Sequence, residues 1–417
     1  MERPLTAMFV DCDSFFASVE QHLDPSLRGR PVGVAPVMAE TSCCIAASYE
    51  AKAHGVKTGT GVREARSLCP GIVIVEAKPA EYIKIHHRVV AAVEDCIHVE
   101  AVLSIDEMWA WLPYNLRAPD TVLAIGRKIK ETVTREVSPA VKVSVGAGPN
   151  RWLAKMASKM RKPDGLFLIE AGELPGVLHA LSLRDLHGIA RNMEIRLHAA
   201  GVHTVADLCA VPKPVLRNVW GGVLGDRLWH LLRGDENPDM ESSRKSIGHS
   251  HVLPPDSRTP DKAWSIICKL LHKAGERLRA HGLLAGRLVV SLGYLGNGRW
   301  EGERSFNETG ASLRLMHQLQ GIWRERPDPK AKLLQVGVVL TRLVDRRNYT
   351  PPLFPEESCT VAERDPEKLR RLDAAIDQLR ARYGRKVVYY GSVQDGRDAA
   401  PMRISFTHIP DILLEGD

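Results

Sequence analysis

The sequence predicts an α+β, multidomain protein, and three observations carry that prediction. The first 165 residues alternate short apolar runs with amphipathic stretches in the order strand, helix, strand, strand, helix, strand. Residues 174 to 233 are rich in short helical segments broken by turn signals. Beyond an exposed-looking stretch from Asp235 to Ser243, strand-like runs recur between two amphipathic helices, so a second, separate α+β unit follows. A composition of 44% hydrophobic and 26% charged residues over 417 positions suits an ordinary globular chain. Length alone leaves room for about three domains.

Taken in order, AMFVDCDSFF reads as a strand that stops at Asp11 and puts two acids, one residue apart, at the end of a sheet. FFASVEQHLD reads as the helix leaving it. RPVGVAPV and SCCIAASYEA then read as short strands around a turn, and EARSLC as a helix that stops at Pro70; together they form a small inserted unit. EYIKIHHRVVAAVEDCI is a long helix with an apolar stripe. VEAVLSIDEMWAWLP is apolar at almost every position except Ser104, Asp106 and Glu107, and predicts a hairpin buried on both faces with those residues at its apex. The helix TVLAIGRKIKETVTREV and the strand VKVSVGAG complete a mixed sheet with helices on one face. LHGIARNMEIRLHAAGVHTVADL has the form of a turn between short helices. In the second unit KSIGHSHVL, RLVVSLGYL and LLQVGVVL are the strands, and DKAWSIICKLLHKAGERLRAHG and ASLRLMHQLQGIW the helices. From about Pro351 one clear helix remains, PEKLRRLDAAIDQLRARYG.

The start of the chain lacks a basic segment leading into an apolar stretch, and no apolar run is long enough to span a membrane. The eight cysteines form no Cys-x-x-Cys pair, which argues against a zinc site or a disulfide framework and favours a reducing, cytoplasmic setting. Charge is unevenly placed. Residues 244 to 346 carry 18 Lys+Arg against 9 Asp+Glu, a net +9, which leaves −2 of the overall +7 for everything else. Such a concentration suits a binder of phosphate backbones, although many basic faces are only solvated.

Ionised carboxylates in apolar surroundings need a counter-charge, so Asp11, Asp106 and Glu107 imply something cationic between them. Oxygen-only ligands suit Mg²⁺, and two such ions would serve phosphoryl transfer. The alternative pairs the same acids with Lys or Arg in a structural network. Tyr49 and Lys52 in SYEAKAHGVKTG, and Lys159, Arg161 and Lys162 in SKMRKPDG, are available cations and partners for a triphosphate, or else solvated surface.

FVDCDSFFASVE, ASYEAKAHGV, SIDE, VSVGAGPNRWLAKMASKMRKPDG and LHGIA…LHAAGVHTVADL together resemble the motifs of the Y-family of DNA polymerases, the translesion enzymes, and most closely the bacterial DNA polymerase IV type. They stand in the family's order at similar spacing and span nearly all of residues 7 to 240. The resemblance implies a right-hand polymerase: palm at 1–30 and 77–165, small fingers at 31–76, a helix-hairpin-helix thumb at 166–235, a linker at 236–246, a little finger at 247–345, and a C-terminal segment at 346–417. It implies low-fidelity, template-directed translesion synthesis by two-metal nucleotidyl transfer without proofreading, acting as a monomer on primer-template DNA and dNTPs. It implies that Asp11, Asp106 and Glu107 are catalytic, that these three and the Cys12 carbonyl hold two Mg²⁺ ions, and that Phe16 is the steric gate against ribonucleotides, with Phe15 as core packing. Tyr49, Lys52 and Lys162 match the triphosphate positions. Gly188 and Ala190 of the thumb turn, with Arg244 and Lys245 ahead of the little finger, would touch DNA, and Cys43 and Ile45 would roof the templating base. Leu353 and Phe354 occupy the place of a peptide that binds the sliding clamp, though Thr350 stands where a glutamine is usual.

Two departures stand out. Lys52 replaces an arginine and cannot grip phosphate with two prongs, and Trp111 replaces an acid four residues after Glu107, one that is not a metal ligand. A polymerase-like accessory protein in DNA damage tolerance, or another two-metal enzyme such as a nucleotidyl cyclase, are the competing readings; intact acids weigh against the first, and the thumb and basic unit against the second.

Overall fold

The computed structural model describes residues 3–236, 244–296, 298–350, 365–384, 386–396 and 409, and these fall into two compact units divided near residue 240.

The first unit is built on a five-stranded sheet. Its central strand β1 (Ala7–Cys12) is buried along its whole length and runs into helix α1 (Phe15–Leu23). The inserted unit follows: β2 (Val32–Ala35), a two-residue β3 (Ala46–Ala47), α2 (Tyr49–Ala53), α3 (Val62–Leu68) and β4 (Val73–Glu76), with sheet order β3-β2-β4 and its own small core. The expected second strand in SCCIAASYEA is thus mostly loop and helix. Ser48 accepts a hydrogen bond from Ala51 N and caps α2, and so ends the strand after two residues.

Helix α4 (Pro79–Glu94) leads to β5 (Ala101–Val102) and β6 (Glu107–Trp111), then α5 (Pro119–Glu136), β7 (Val143–Gly148), α6 (Arg151–Met160) and β8 (Leu166–Leu168). The sheet order is β5-β6-β1-β7-β8, with β1 antiparallel to both β6 and β7. The hairpin forms, but it is not buried on both faces. β5 is a two-residue edge strand, and Trp111 is 38% exposed. Helix α6 lies directly on β7 because Gly146 has no side chain: a Cβ there would stand 2.1 Å from Ser158 N and 2.3 Å from Ala154 O.

Four short helices finish this unit: α7 (Arg191–Ala199), α8 (Val205–Ala210), α9 (Lys213–Trp220) and α10 (Val223–Leu231). Their shared core includes Leu197, Val202, Leu208, Leu216 and Leu228. The helix expected ahead of the Gly188 turn is only a three-residue 3-10 turn, Leu183–Asp185.

The second unit has a four-stranded antiparallel sheet of β9 (Ser246–Val252), β10 (Leu283–Tyr294), β11 (Arg299–Thr309) and β12 (Leu333–Asp345), ordered β11-β10-β12-β9. Helices α11 (Pro260–Ala280) and α12 (Ser312–Arg324) supply the rest of one continuous apolar core. The edge strand β11 is absent from the sequence reading. Its alternation of charged and half-buried positions, RWEGERSFNET, resembles a polar loop more than a strand. Helix α13 (Pro366–Tyr383) belongs to this unit too, and Val393 enters its core. No helix among the described residues is long and apolar enough to cross a membrane.

Candidate active site

Three strand ends meet at one edge of the palm sheet. Asp11 is the register partner of Glu107 on β6 and of Ser144 on β7, and Cys12 N donates to Asp106 O at 2.8 Å. Residues directly opposite in antiparallel strands share a face, so Asp11 and Glu107 project together. Asp106 is fixed locally: Ser104 Oγ donates to its Oδ1, and buried His86 Nδ1 lies 2.7 Å from Ile105 O, which holds the hairpin apex against α4. Burial first, then the Asp106 and Glu107 charges, drive the Asp11 carboxyl up against the pull of Lys162, to about 6. The Asp106 carboxyl is raised for the same leading reason.

Two ammonium groups stand among these acids. Lys162 pairs with Asp11 and reaches Asp13 at 3.5 Å, and Lys155 on α6 lies 2.8 Å from both oxygens of Glu107. With lysines on two of the three carboxylates, no group of three or more His, Cys, Asp or Glu side chains among the described residues is arranged to hold a metal. The strand ends converge as the sequence implied; the side chains turn toward ammonium ions.

Sequence reasoning missed two members. Asp13 is only 1% exposed. Its carboxylate accepts from Ser144 Oγ at 2.8 Å, Asp164 N at 2.7 Å and Tyr49 OH at 3.2 Å, joining sheet, 162–165 turn and inserted unit. The signal was there in DCD, since alternate positions of a strand point the same way. Lys155 sits four residues before Lys159, which puts both on one side of α6.

Of the expected triphosphate contacts, Tyr49 faces Asp13, and Lys52 donates to Ser14 Oγ at 2.6 Å with its ammonium 4.3 Å from the Tyr49 ring. Burial and the nearby Lys162 charge lower the Lys52 ammonium. Ser14 itself holds a left-handed φ of 48° at the turn into α1, strained backbone of the kind that gathers at functional sites. Arg161 lies elsewhere, its guanidinium over the Phe167 ring at 4.7 Å. Phe15 and Phe16 are both buried, and the Phe16 ring stacks on Tyr82 at 4.7 Å. In the inserted unit Cys43 is exposed and Ile45 half-buried.

The thumb turn keeps Gly188 at φ +97°, where only glycine is unstrained. Ala190, standing where the resemblance leads one to expect a second glycine, caps the start of α7 with φ −97°, so its position makes no demand for glycine. Arg244 lies 2.6 Å from His281 in the second unit, and Lys245 is exposed beside it. Leu353 and Phe354 lie outside the described residues.

Comparison with known proteins agrees across the chain. The impB/mucB/samB family model matches residues 10–159, and the model of that family's C-terminal domain matches 244–351. The DNA polymerase IV of Moorella thermoacetica is 35% identical over 393 residues, covering 92% of this chain and 94% of that protein. DNA polymerase IV 1 of Bacillus subtilis is 30% identical over 293 residues, 68% of this chain and 69% of that one. Among solved structures, a chimeric Y-family DNA polymerase superposes with a TM-score of 0.68 over 81% of this chain and 99% of its own, at 24% identity, a likeness of fold. An insertion ternary complex of the Dbh DNA polymerase gives a TM-score of 0.54 at 23% identity, over 81% of this chain and 98% of that one.

Proposed function

The chain belongs to the impB/mucB/samB family of bacterial Y-family polymerases, and from that membership and its cluster of palm acids we infer how its residues carry out the work. It is a DNA-directed DNA polymerase for translesion synthesis, of the DNA polymerase IV type. Low fidelity without proofreading and dependence on divalent metal are general properties of the family.

The observation that carries the residue assignment is the meeting of Asp11, Asp106 and Glu107 at the adjoining ends of the central strands β1 and β6, where burial raises the Asp11 and Asp106 carboxyls. Burial makes their charges unfavourable even with Lys162 present, so the site favours further positive charge. Carboxylate oxygens and a backbone carbonyl are the donor set of a hard divalent cation, which fits Mg²⁺. In this proposal Asp11, Asp106, Glu107 and the Cys12 carbonyl hold two Mg²⁺ ions. When bound, such ions lower the pKa of a primer 3′-hydroxyl and neutralise the leaving pyrophosphate.

The protein's own groups do the rest. Lys162 exchanges its carboxylate partner for a triphosphate oxygen, and Lys52 and Tyr49 hold other oxygens from the inserted unit. Asp13 keeps that unit, the sheet and the 162–165 turn in one arrangement through its three hydrogen bonds. Lys155 keeps Glu107 oriented and its charge balanced until substrate arrives. Phe16, directly behind the acidic turn, excludes the ribose 2′-hydroxyl. Gly188 and Ala190 offer backbone N–H groups to primer phosphates, and Arg244 and Lys245, with the surplus charge of the second unit, grip the duplex without reading sequence. Action as a monomer, a cytoplasmic location and clamp docking through Leu353 and Phe354 belong to the same proposal.

The test is single-nucleotide insertion on a primer-template with Mg²⁺ and dNTPs. Asp106→Ala abolishes insertion while DNA binding persists; retained insertion in that variant removes the assignment.

A further inference from the structure

One buried acid in the palm takes no part in the chemistry above. Glu20 is 0% exposed, and carboxylates are almost never fully buried without a specific reason. It lies on α1 one helical turn after Phe16, so both residues share a face of that helix. Across from them stand Lys78, the residue that begins α4, and Tyr82, one turn further along the same helix. The four make a closed set. Tyr82 OH donates to Glu20 Oε1 at 2.7 Å, Lys78 Nζ donates to Glu20 Oε2, and the Tyr82 ring stacks on Phe16 at 4.7 Å and 21° between planes. Lys78 is half exposed, whereas Tyr82 is wholly buried.

An apolar pair would hold the two helices together at least as well, because an ion pair whose base is half exposed adds little net stability. What this arrangement adds is direction. A hydroxyl tied to a charged acceptor fixes the plane of the ring that carries it, and the ring stacked on it is fixed in turn. We propose that Glu20, through Lys78 and Tyr82, is a positioning residue for sugar selection: it holds the Phe16 ring at the angle that excludes a ribose 2′-hydroxyl. This rests on the reading of Phe16 as the steric gate, and the test separates the two.

The measurement is kcat/KM for insertion of a dNTP and the matching rNTP by the full-length enzyme, expressed as a ratio, for the wild type, Phe16→Ala, Glu20→Ala, Glu20→Gln, Tyr82→Phe and the Phe16→Ala/Glu20→Ala pair. Phe16→Ala gives the largest rise in relative rNTP use. Glu20→Ala raises it roughly tenfold, mainly through the rNTP arm. Glu20→Gln, which still accepts the Tyr82 hydrogen bond, returns most of the discrimination. The double variant matches Phe16→Ala alone, because Glu20 acts only through that ring. Tyr82→Phe keeps the ring and its volume, and reads the same hydrogen bond should Glu20→Ala fold poorly.

If Phe16→Ala leaves the ratio unchanged, the gate reading falls and this inference with it. If Phe16→Ala raises the ratio while Tyr82→Phe and Glu20→Ala stay at the wild-type value, only this inference is overturned. Multiplying effects in the double variant overturn it as well.

Discussion

Each unit of the molecule holds a cluster of acids and bases away from solvent, and the two are finished differently. In the second unit Asp373 is 3% exposed, yet each of its oxygens has partners: Ser312 N donates to Oδ2 at 3.0 Å, Tyr390 OH to Oδ1 at 3.3 Å, and Arg279 stands 3.8 Å away. Arg279 grips Asp377 with two hydrogen bonds at 2.7 and 2.8 Å and donates from Nη1 to Gly310 O and Ser312 Oγ. Burial works against the guanidinium, but Asp377 and Asp373 outweigh it, so its pKa is raised. Both acids there are thus met by a planar base, and Asp373 by neutral donors as well, although the ring Nε2 of His272 beside them has no hydrogen-bond partner among the described residues. In the palm, by contrast, lysines face Asp11 and Glu107 as point charges, and the Asp11 and Asp106 carboxyls remain raised. A planar, two-pronged base closes a structural network, whereas a lysine leaves a carboxylate site open to exchange. The same chain therefore holds acids away from solvent in two ways, one cluster gripped by an arginine and one faced by lysines with its carboxyls still raised.

The largest effect expected from this contrast is at Asp106. Asp106→Asn lowers single-nucleotide insertion on the order of a thousandfold or more, while the first unit unfolds at the same temperature or a few degrees higher, since a poorly solvated charge has gone. Insertion kinetics and calorimetry on one preparation check both halves. A marked loss of stability would put Asp106 in the structural class.

Arg279→Met reverses the pattern. It strands buried Asp373 and partly exposed Asp377 and costs the second unit about 3 kcal/mol, the lower end of what breaking one side of a buried pair gives. Insertion of a single nucleotide at saturating DNA keeps its kcat, because no palm residue is touched. Denaturant unfolding against kcat reads the difference, and a fall in kcat with stability intact would break the comparison.

The sequence made the contrast half legible. Strand β1, the hairpin and α4 were plain because their apolar runs are long and their periods clean, and the acids stood out against them. Strand β11 escaped because its solvent face, Arg299, Glu301, Glu303 and Ser305, is polar throughout, which is how an edge strand guards itself and also how a loop reads. Which base would face which acid was not legible at all. Lys162 meets Asp11 from 151 residues away, and Arg279 meets Asp377 from 98. Such pairings come from the packing of sheets and helices, not from any local pattern. Phe15 and Phe16 show the same limit, since both are buried and only the Tyr82 stack tells them apart.

The smallest effect, and the one that sharpens the comparison most finely, is the response to acid. His272 lies against this second cluster, its ring stacked on Tyr390 at 4.3 Å. Burial, then the charges of Arg380 and Arg279, push its pKa down from 6.5 to about 3. The folded imidazole is therefore neutral where the unfolded one begins to take up a proton. Its contribution to stability is whole above about pH 6.5 and is lost as pH falls from there toward 3, amounting to about 2 kcal/mol by pH 5. Asp11 has the opposite sign. Its carboxyl is raised from 3.8 to about 6, so between those values the folded state binds the proton first and the first unit gains stability as pH falls. Thermal unfolding of the full chain between pH 7.5 and 5 should separate the two: acid lowers the transition of the second unit, and His272→Phe, which keeps an aromatic face toward Tyr390, flattens that slope. Asp11→Asn removes the opposing gain in the first unit. Parallel pH slopes in both units, unmoved by either substitution, would mean that the two clusters are finished alike.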